Sequence, residues 1–482
     1  MQTYRIADHR LFTSGGRHFL YLSRDNALFE ADRETRDWIR RYGADAAALT
    51  RAVEARRQAP ASEAWAELEN LLARRVILRE AEPADVARAA RTPEVPLKTL
   101  VLHVTDACNL GCTYCYHGRS ASAEGPDAGR GRAMPVETAK RAVDFLMDAS
   151  AGLEEVVLVF FGGEPLLNLP LMAETVGYAR QRSTEAGKKV SFAVTTNGTL
   201  LTPRAIAFLH ANDIGVTVSM DGIEPVHDRF RRFPDGSPSY RAILPGVRAL
   251  LTAPRKKPVV ARVTVAGAPD HVPRTLDHLL AMGFSEAGFA PVTTDDRAFQ
   301  LDAPAMERLL DQFRLLSARF LETALAGDFL GFTNLVDLLV ALHEGEVKTH
   351  PCGAGLGLFS VSPDGRLYLC QRLTGREEGG MGDLEGGLDR AKVDRFRAMA
   401  GVDRKSECRS CWVRAVCAGG CYHEALTREG SLTAPNRHYC EWIKTWTAMG
   451  LDVYARLFPA CPDYLDKLSM LRGHAPLHSR TI

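Results

Sequence analysis

Nowhere in the 482 residues does an apolar run approach the ~20 residues needed to cross a bilayer, so no membrane partner is expected. Nor is one sign of charge in surplus: 60 basic residues stand against 59 acidic ones, a net charge of +1. A protein that holds nucleic acid in a strong positive field is thereby disfavoured. The first thirty residues contain no uninterrupted apolar stretch and are broken by Arg5, Asp8, His9, Arg10 and Arg17. A secretory signal is not expected, and a cytoplasmic location is. Disulfide frameworks do not persist there. The rest is ordinary for a globular chain, 46% hydrophobic and 25% charged. Its length suits about three domains at roughly 150 residues each.

Against this background the eleven cysteines stand out. Cys108, Cys112 and Cys115 form one group. Cys352, Cys370, Cys408, Cys411, Cys417, Cys421 and Cys440 form another, and Cys461 lies apart. An odd, clustered set of reduced thiols points to metal rather than to disulfides.

The chain divides by texture. Residues 1–85 read as four short strands broken by Gly15-Gly16 and Asp25-Asn26, then helices over 35–42, 46–55 and 62–78. That order suits a small winged-helix-like module. Phe29, Trp38 and Val76 are apolar enough to attract notice, but core packing accounts for them. Residues 86–97 read as a linker. Over 98–300, strands at 100–104, 156–161, 190–195, 214–219, 259–265 and 287–291 alternate with helices at 135–149, 169–186, 203–211, 240–252 and 274–282. The fold class expected is α/β, a partial (β/α)6 barrel with chemistry at the carboxyl ends of its strands. Residues 301–350 read as a helical linker. Residues 351–445 read as a loop-rich domain held by metal rather than by a large core, and 446–482 as a partly helical tail. Residues 121–132 read as a Gly/Ala/Ser-rich loop.

Cys108-x3-Cys112-x2-Cys115 follows the first barrel strand. Three thiolates hold three irons of a cubane and leave the fourth open to a small molecule. A closed zinc site with His117 as fourth ligand is the plainer alternative. The next strand ends carry Gly162-Gly163-Glu164-Pro165, Thr195-Thr196-Asn197-Gly198 and Ser219-Met220-Asp221-Gly222, then His227-Asp228-Arg229-Phe230-Arg231. Each alone reads as a turn. Together, on successive strand ends, they are harder to dismiss. The glycines allow close backbone approach, and the carboxylate suits an ammonium group.

On these motifs, residues 98–295 resemble the radical S-adenosylmethionine (SAM) enzymes. The resemblance implies that Cys108, Cys112 and Cys115 bind a 4Fe–4S cluster whose open iron chelates S-adenosylmethionine. Tyr114 matches that family's aromatic residue before the last cysteine. Gly162, Gly163 and Glu164 would meet the ligand's amino group, Asn197 and Ser219 its ribose or methionyl part, and Arg231 its carboxylate. Reductive cleavage would give a 5′-deoxyadenosyl radical that removes a hydrogen atom from the substrate. Asp221 and Asp228 are candidates for a general base, with a turn or helix cap as the alternative for each.

The later cysteines, Cys352 through Cys440, have spacings that resemble the SPASM extension of radical SAM peptide maturases; a zinc ribbon explains only Cys408 and Cys411. The resemblance implies two auxiliary 4Fe–4S clusters, three in all. Cys352, Cys370 and Cys421 would hold one, and Cys408, Cys411, Cys417 and Cys440 the other. The extra cysteine that some members carry after the first is replaced here by Gly353-Ala354-Gly355-Leu356-Gly357. One iron would then be open to a substrate thiolate, unless Cys461 fills the place; a lone thiol is the plainer reading of Cys461.

The amino-terminal module resembles the element with which such maturases bind a leader peptide as an added strand. The expected partners are a ribosomally made peptide or small subunit with a leader segment, and an electron donor such as flavodoxin or ferredoxin. The expected reaction is thioether formation between a cysteine sulfur and a carbon. Length and module order are compatible with the subfamily that matures quinohemoprotein amine dehydrogenase by linking cysteines to acidic residues. A formylglycine-forming sulfatase maturase is the alternative enzyme. A non-catalytic iron–sulfur carrier or peptide scaffold is the alternative of another class.

Overall fold

A computed structural model describes residues 3–58, 63–79, 95–117, 131–294 and 296–474. Most of the expected linker, nearly all of the 121–132 loop and the extreme carboxyl end lie outside the described residues.

The amino-terminal module begins with β1 (Tyr4–Ile6), β2 (His9–Ser14), β3 (Arg17–Leu22) and β4 (Ala27–Glu30). The last three form an antiparallel meander. Gly15 and Gly16 close the β2–β3 hairpin, both with positive φ (54° and 77°), as a tight hairpin turn demands. Helices Arg33–Tyr42, Ala46–Arg57 and Glu63–Ala73 follow. The third is shorter than its periodicity suggested. After it, Arg75 takes φ 59°, and the chain returns as β5 (Ile77–Arg79), antiparallel to β1. Val76 and Trp38 are buried in this module's own core, and Phe29 packs against it.

Six strands, β6 (Thr99–Thr105), β7 (Glu155–Gly162), β8 (Lys189–Thr196), β9 (Gly215–Ser219), β10 (Val259–Val265) and β11 (Glu286–Pro291), pair in sequence order and in parallel. Helices lie between them at Val136–Ala149, Leu169–Glu185, Pro203–Ala211, Tyr240–Thr252 and Val272–Ala281. The core sits between these helices and one face of each strand, through residues such as Leu100, Leu158, Val194, Val218 and Val263. The other face lines a lumen.

The sheet does not end with the barrel. β12 (Leu358–Val361) pairs parallel to β6, and β13 (Arg366–Tyr368), β14 (Gly380–Asp383) and β15 (Gly387–Leu388) extend it antiparallel. The domain after residue 351 is therefore built onto the barrel sheet. Phe359, Leu367, Leu369, Phe396 and Tyr422 share the barrel's hydrophobic cluster, so the expectation of a domain held chiefly by metal is corrected. The expected boundary at 445 falls inside a 21-residue helix, Cys440–Ala460. Trp442 and Trp446 of that helix pack edge-on against Phe313 of helix Ala303–Leu325. Among the described residues no helix is long and apolar enough to cross a membrane.

The amino-terminal meander docks beside the second cysteine group. Arg10 lies 4.3 Å over the Trp412 ring and Tyr21 meets it edge-on. Asn26 Nδ2 donates to the carbonyls of Ala341 and Glu346, at 2.8 and 2.9 Å.

Candidate active site and thiol clusters

The loop carrying Cys108, Cys112 and Cys115 leaves the end of β6 and is seated by its neighbours. Gly163 N donates to Thr105 O and Glu164 N to Ala107 O, both at 2.9 Å. A Cβ on Gly162 (φ 130°) would stand 2.1 Å from Thr105 O, and one on Gly163 2.1 Å from Ala107 O. The close approach these glycines permit is to the cysteine loop itself.

Glu164 is fully buried. Its Oε1 accepts from the Thr196 hydroxyl (2.7 Å) and Leu166 N (3.1 Å), and its Oε2 from Asn197 N (2.7 Å). Burial pushes its carboxyl up to about 7 against these stabilising bonds. This carboxyl group ties the end of β7 to the end of β8. Asn197 Nδ2 in turn reaches Cys108 Sγ (3.7 Å) and Asn109 Oδ1 (3.0 Å), so Asn197 clasps the first thiol. Ser219 ends β9, in register with Arg262.

Tyr114 OH donates to Asp221 Oδ2 at 2.5 Å, and Arg231 Nε donates to the same oxygen at 3.0 Å. Thr264 N donates to Asp221 Oδ1 (2.9 Å). Arg231 Nη1 lies 3.9 Å from Cys112 Sγ. Asp221 is thus saturated and buried, a bridge between the cysteine loop, β10 and Arg231. Asp228 Oδ1 accepts from Ser239 N (2.9 Å) and Tyr240 N (2.8 Å) and caps the helix that follows. Both aspartates have structural tasks, a bridge for Asp221 and a helix cap for Asp228.

Cys352, Cys370 and Cys421 lie within electrostatic reach of one another. So do Cys408, Cys411, Cys417 and Cys440, which line a cavity of about 300 Å³. Burial first, and neighbouring thiols after it, push Cys370 up to about 12 and Cys417 up to about 11. Cys112 is pushed up to about 11, again chiefly by burial. Thiols packed against thiols in a dry site are compensated when an iron–sulfur cluster takes their protons' place, so the donor sets fit such clusters. His117, the suggested fourth zinc ligand, instead packs on His103 and Tyr116, at 5.1 and 4.5 Å between ring centroids. Cys461 stands at the far end of helix Cys440–Ala460, about 30 Å from Cys440 at 1.5 Å per residue.

Sequence reasoning missed the lumen residues. Val259, Ala261, Val263 and Val265 are buried, whereas Arg262 between them is exposed. A charged residue inside a parallel strand was the available signal. Arg262 feels the charge of Arg372, which lies over the Tyr116 ring at 5.8 Å.

Six parallel strands in sequence order, with a three-cysteine loop after the first, form a partial (β/α)6 barrel. Residues 102–279 match the family model described as the Radical SAM superfamily, and the chain carries a radical SAM enzyme domain there. An uncharacterised protein of Methanocaldococcus jannaschii is 30% identical over 193 residues, 40% of this chain and 62% of its own length. The serine-type anaerobic sulfatase-maturating enzyme of Klebsiella aerogenes is 26% identical over 354 residues, 70% of this chain and 82% of its own. Among solved structures, an anaerobic sulfatase-maturating enzyme (anSMEcpe) with bound AdoMet and the Kp18Cys peptide superposes with a TM-score of 0.63 at 20% identity, covering 76% of this chain and 99% of its own. Streptococcus suis SuiB bound to its precursor peptide SuiA gives 0.51 at 14% identity, covering 92% and 100%.

Proposed function

We propose that the protein is a radical SAM peptide maturase that joins a cysteine sulfur of a ribosomally made peptide to a carbon of another residue. The observation that carries this reading is Tyr116. It follows Cys115 directly, its ring packs 5.6 Å from that of His423, two residues after Cys421, and Arg372, two residues after Cys370, lies 5.8 Å over it. The cysteine loop and the three-thiol set are therefore neighbours. The three-thiol set offers one cysteine fewer than a cubane has irons, a vacancy suited to a substrate thiolate.

Bound at these sets, S-adenosylmethionine and three 4Fe–4S clusters would supply a hydrogen-abstracting radical and a one-electron acceptor. Joining C–H and S–H as C–S removes two electrons and two protons: one hydrogen atom goes to the deoxyadenosyl carbon, the thiol proton to solvent, and one electron to the acceptor. The chain's own residues do the placing. Gly163, Glu164, Asn197, Asp221 and Arg231 hold the cysteine loop; His103, Phe161, Arg262 and Arg372 line the space for the peptide and exclude water. The amino-terminal module, docked on Trp412, would hold a leader segment. A flavodoxin- or ferredoxin-like protein would donate electrons, and a reducing compartment such as the cytoplasm would keep the thiols available.

The test is anaerobic incubation of reconstituted protein with S-adenosylmethionine, reductant and candidate precursor peptides. A loss of two hydrogens per modified cysteine, retained after thiol reduction and alkylation, supports the reading. The Klebsiella sulfatase-maturating relative favours a second reading, oxidation of Cys or Ser to formylglycine. Its product carries an aldehyde that reacts with hydrazides, and that outcome would replace the first.

A further inference from the structure

Lys405 is only 4% exposed, and its Nζ is buried without a hydrogen-bond acceptor. An ammonium is strongly hydrated, so such a site needs compensating negative charge. The position is built around the side chain. Lys405 precedes the short helix Ser406–Arg409 that carries Cys408. Its side chain then crosses Gly419 (φ 91°), where a Cβ would lie 2.5 Å from Nζ and 2.7 Å from Cδ. Nζ ends 5.6 Å from the centre of the Tyr422 ring. Burial lowers the pKa of its ammonium, and the nearby thiols of Cys408 and Cys417 oppose that; the ring of His350 feels its charge. Tyr422, on the other side, is in reach of Cys352 and Cys421. Lys405 is therefore on the side of the four-thiol set, and the Tyr422 ring beneath its Nζ is on the side of the three-thiol set.

We propose that Lys405 is a positioning residue for charge: its ammonium raises the reduction potential of the four-thiol iron–sulfur site above that of the three-thiol site. The inference rests on the cluster assignment given above. Net charge near a cluster sets its potential. With clusters bound at these sets, the electron released when the new bond forms would pass from the three-thiol site to the four-thiol site and on to an oxidised one-electron carrier protein, which would end reduced by one electron.

The experiment is an EPR-monitored redox titration of the anaerobically reconstituted full chain, with iron and sulfide content measured alongside. The Cys408→Ala variant identifies which signal belongs to the four-thiol site. Lys405→Met is expected to move that signal's midpoint to lower potential and leave the other two in place. Lys405→Arg is expected to keep the wild-type value. Unchanged midpoints in Lys405→Met, or an equal shift of all three, would overturn the proposal. So would loss of the cluster in both Lys405→Met and Lys405→Gln, which would assign the lysine to assembly of the site. Wild-type protein with no cluster at the four-thiol set would overturn the cluster assignment itself. Intact clusters without peptide modification would count against the reaction alone.

Discussion

The Tyr114 hydroxyl donates to Asp221 at 2.5 Å, which joins the cysteine loop to the far side of the barrel rim through an aspartate that also holds Arg231 at 3.0 Å. Asp221 is 1% exposed and Arg231 7%. Asp221→Asn leaves a buried guanidinium without its counter-charge and is expected to cost about 3–5 kcal/mol. Tyr114→Phe removes one bond to a charged group, about 1.5–3 kcal/mol. Denaturant titration and iron content check both. If Asp221 were instead a general base, its asparagine variant would keep iron and stability and lose only product.

His227 carries a pH dependence. Burial, and then the charge of Arg231, push its ring down to about 3. Its Nδ1 lies 3.4 Å from Asp221 N, and its Nε2 3.0 Å from Ser239 Oγ. A ring that is neutral when folded but titrates near 6.5 when unfolded contributes stability that is complete above pH 6.5. That stability is lost as pH falls from there toward 3. The advantage of wild type over His227→Gln is expected to shrink between pH 7.5 and 5.5 in urea titrations. A constant difference would contradict this.

Gly163→Ala is expected to cost the first cluster, because the new Cβ would lie 2.1 Å from a backbone oxygen of the cysteine loop and neither backbone can yield. Gly177→Ala, inside helix Leu169–Glu185 with nothing within 4 Å of its Cβ, is the control. It should stabilise by up to about 1 kcal/mol. Iron content and melting temperature of the pair read the difference.

The two outlying readings of the cysteines separate cleanly. Cys421→Ala is expected to lose the three-thiol cluster. Cys461→Ala, about 30 Å along its helix from Cys440, is expected to keep the wild-type iron content. Iron loss in Cys461→Ala would reinstate it as a ligand.

The sequence alone determined the six-strand alternation, because strands packed on helices on one face and partly covered on the other leave short apolar runs such as 156–161 separated by amphipathic helices. It also determined the two cysteine groups, since ligand chemistry is written in residue type and local spacing. Only the tertiary structure decided what the rim residues do. Gly163, Glu164, Asn197 and Asp221 looked from the sequence like hands held out to a ligand or substrate. Folding gives each of them a partner within the chain as well, because buried polar groups must find partners and the nearest lie on neighbouring strand ends. Tertiary structure likewise decided that β12 continues the barrel sheet and that the Lys405 ammonium lies over the Tyr422 ring. Such neighbours are brought together by contacts between segments distant in sequence, and no local pattern encodes them.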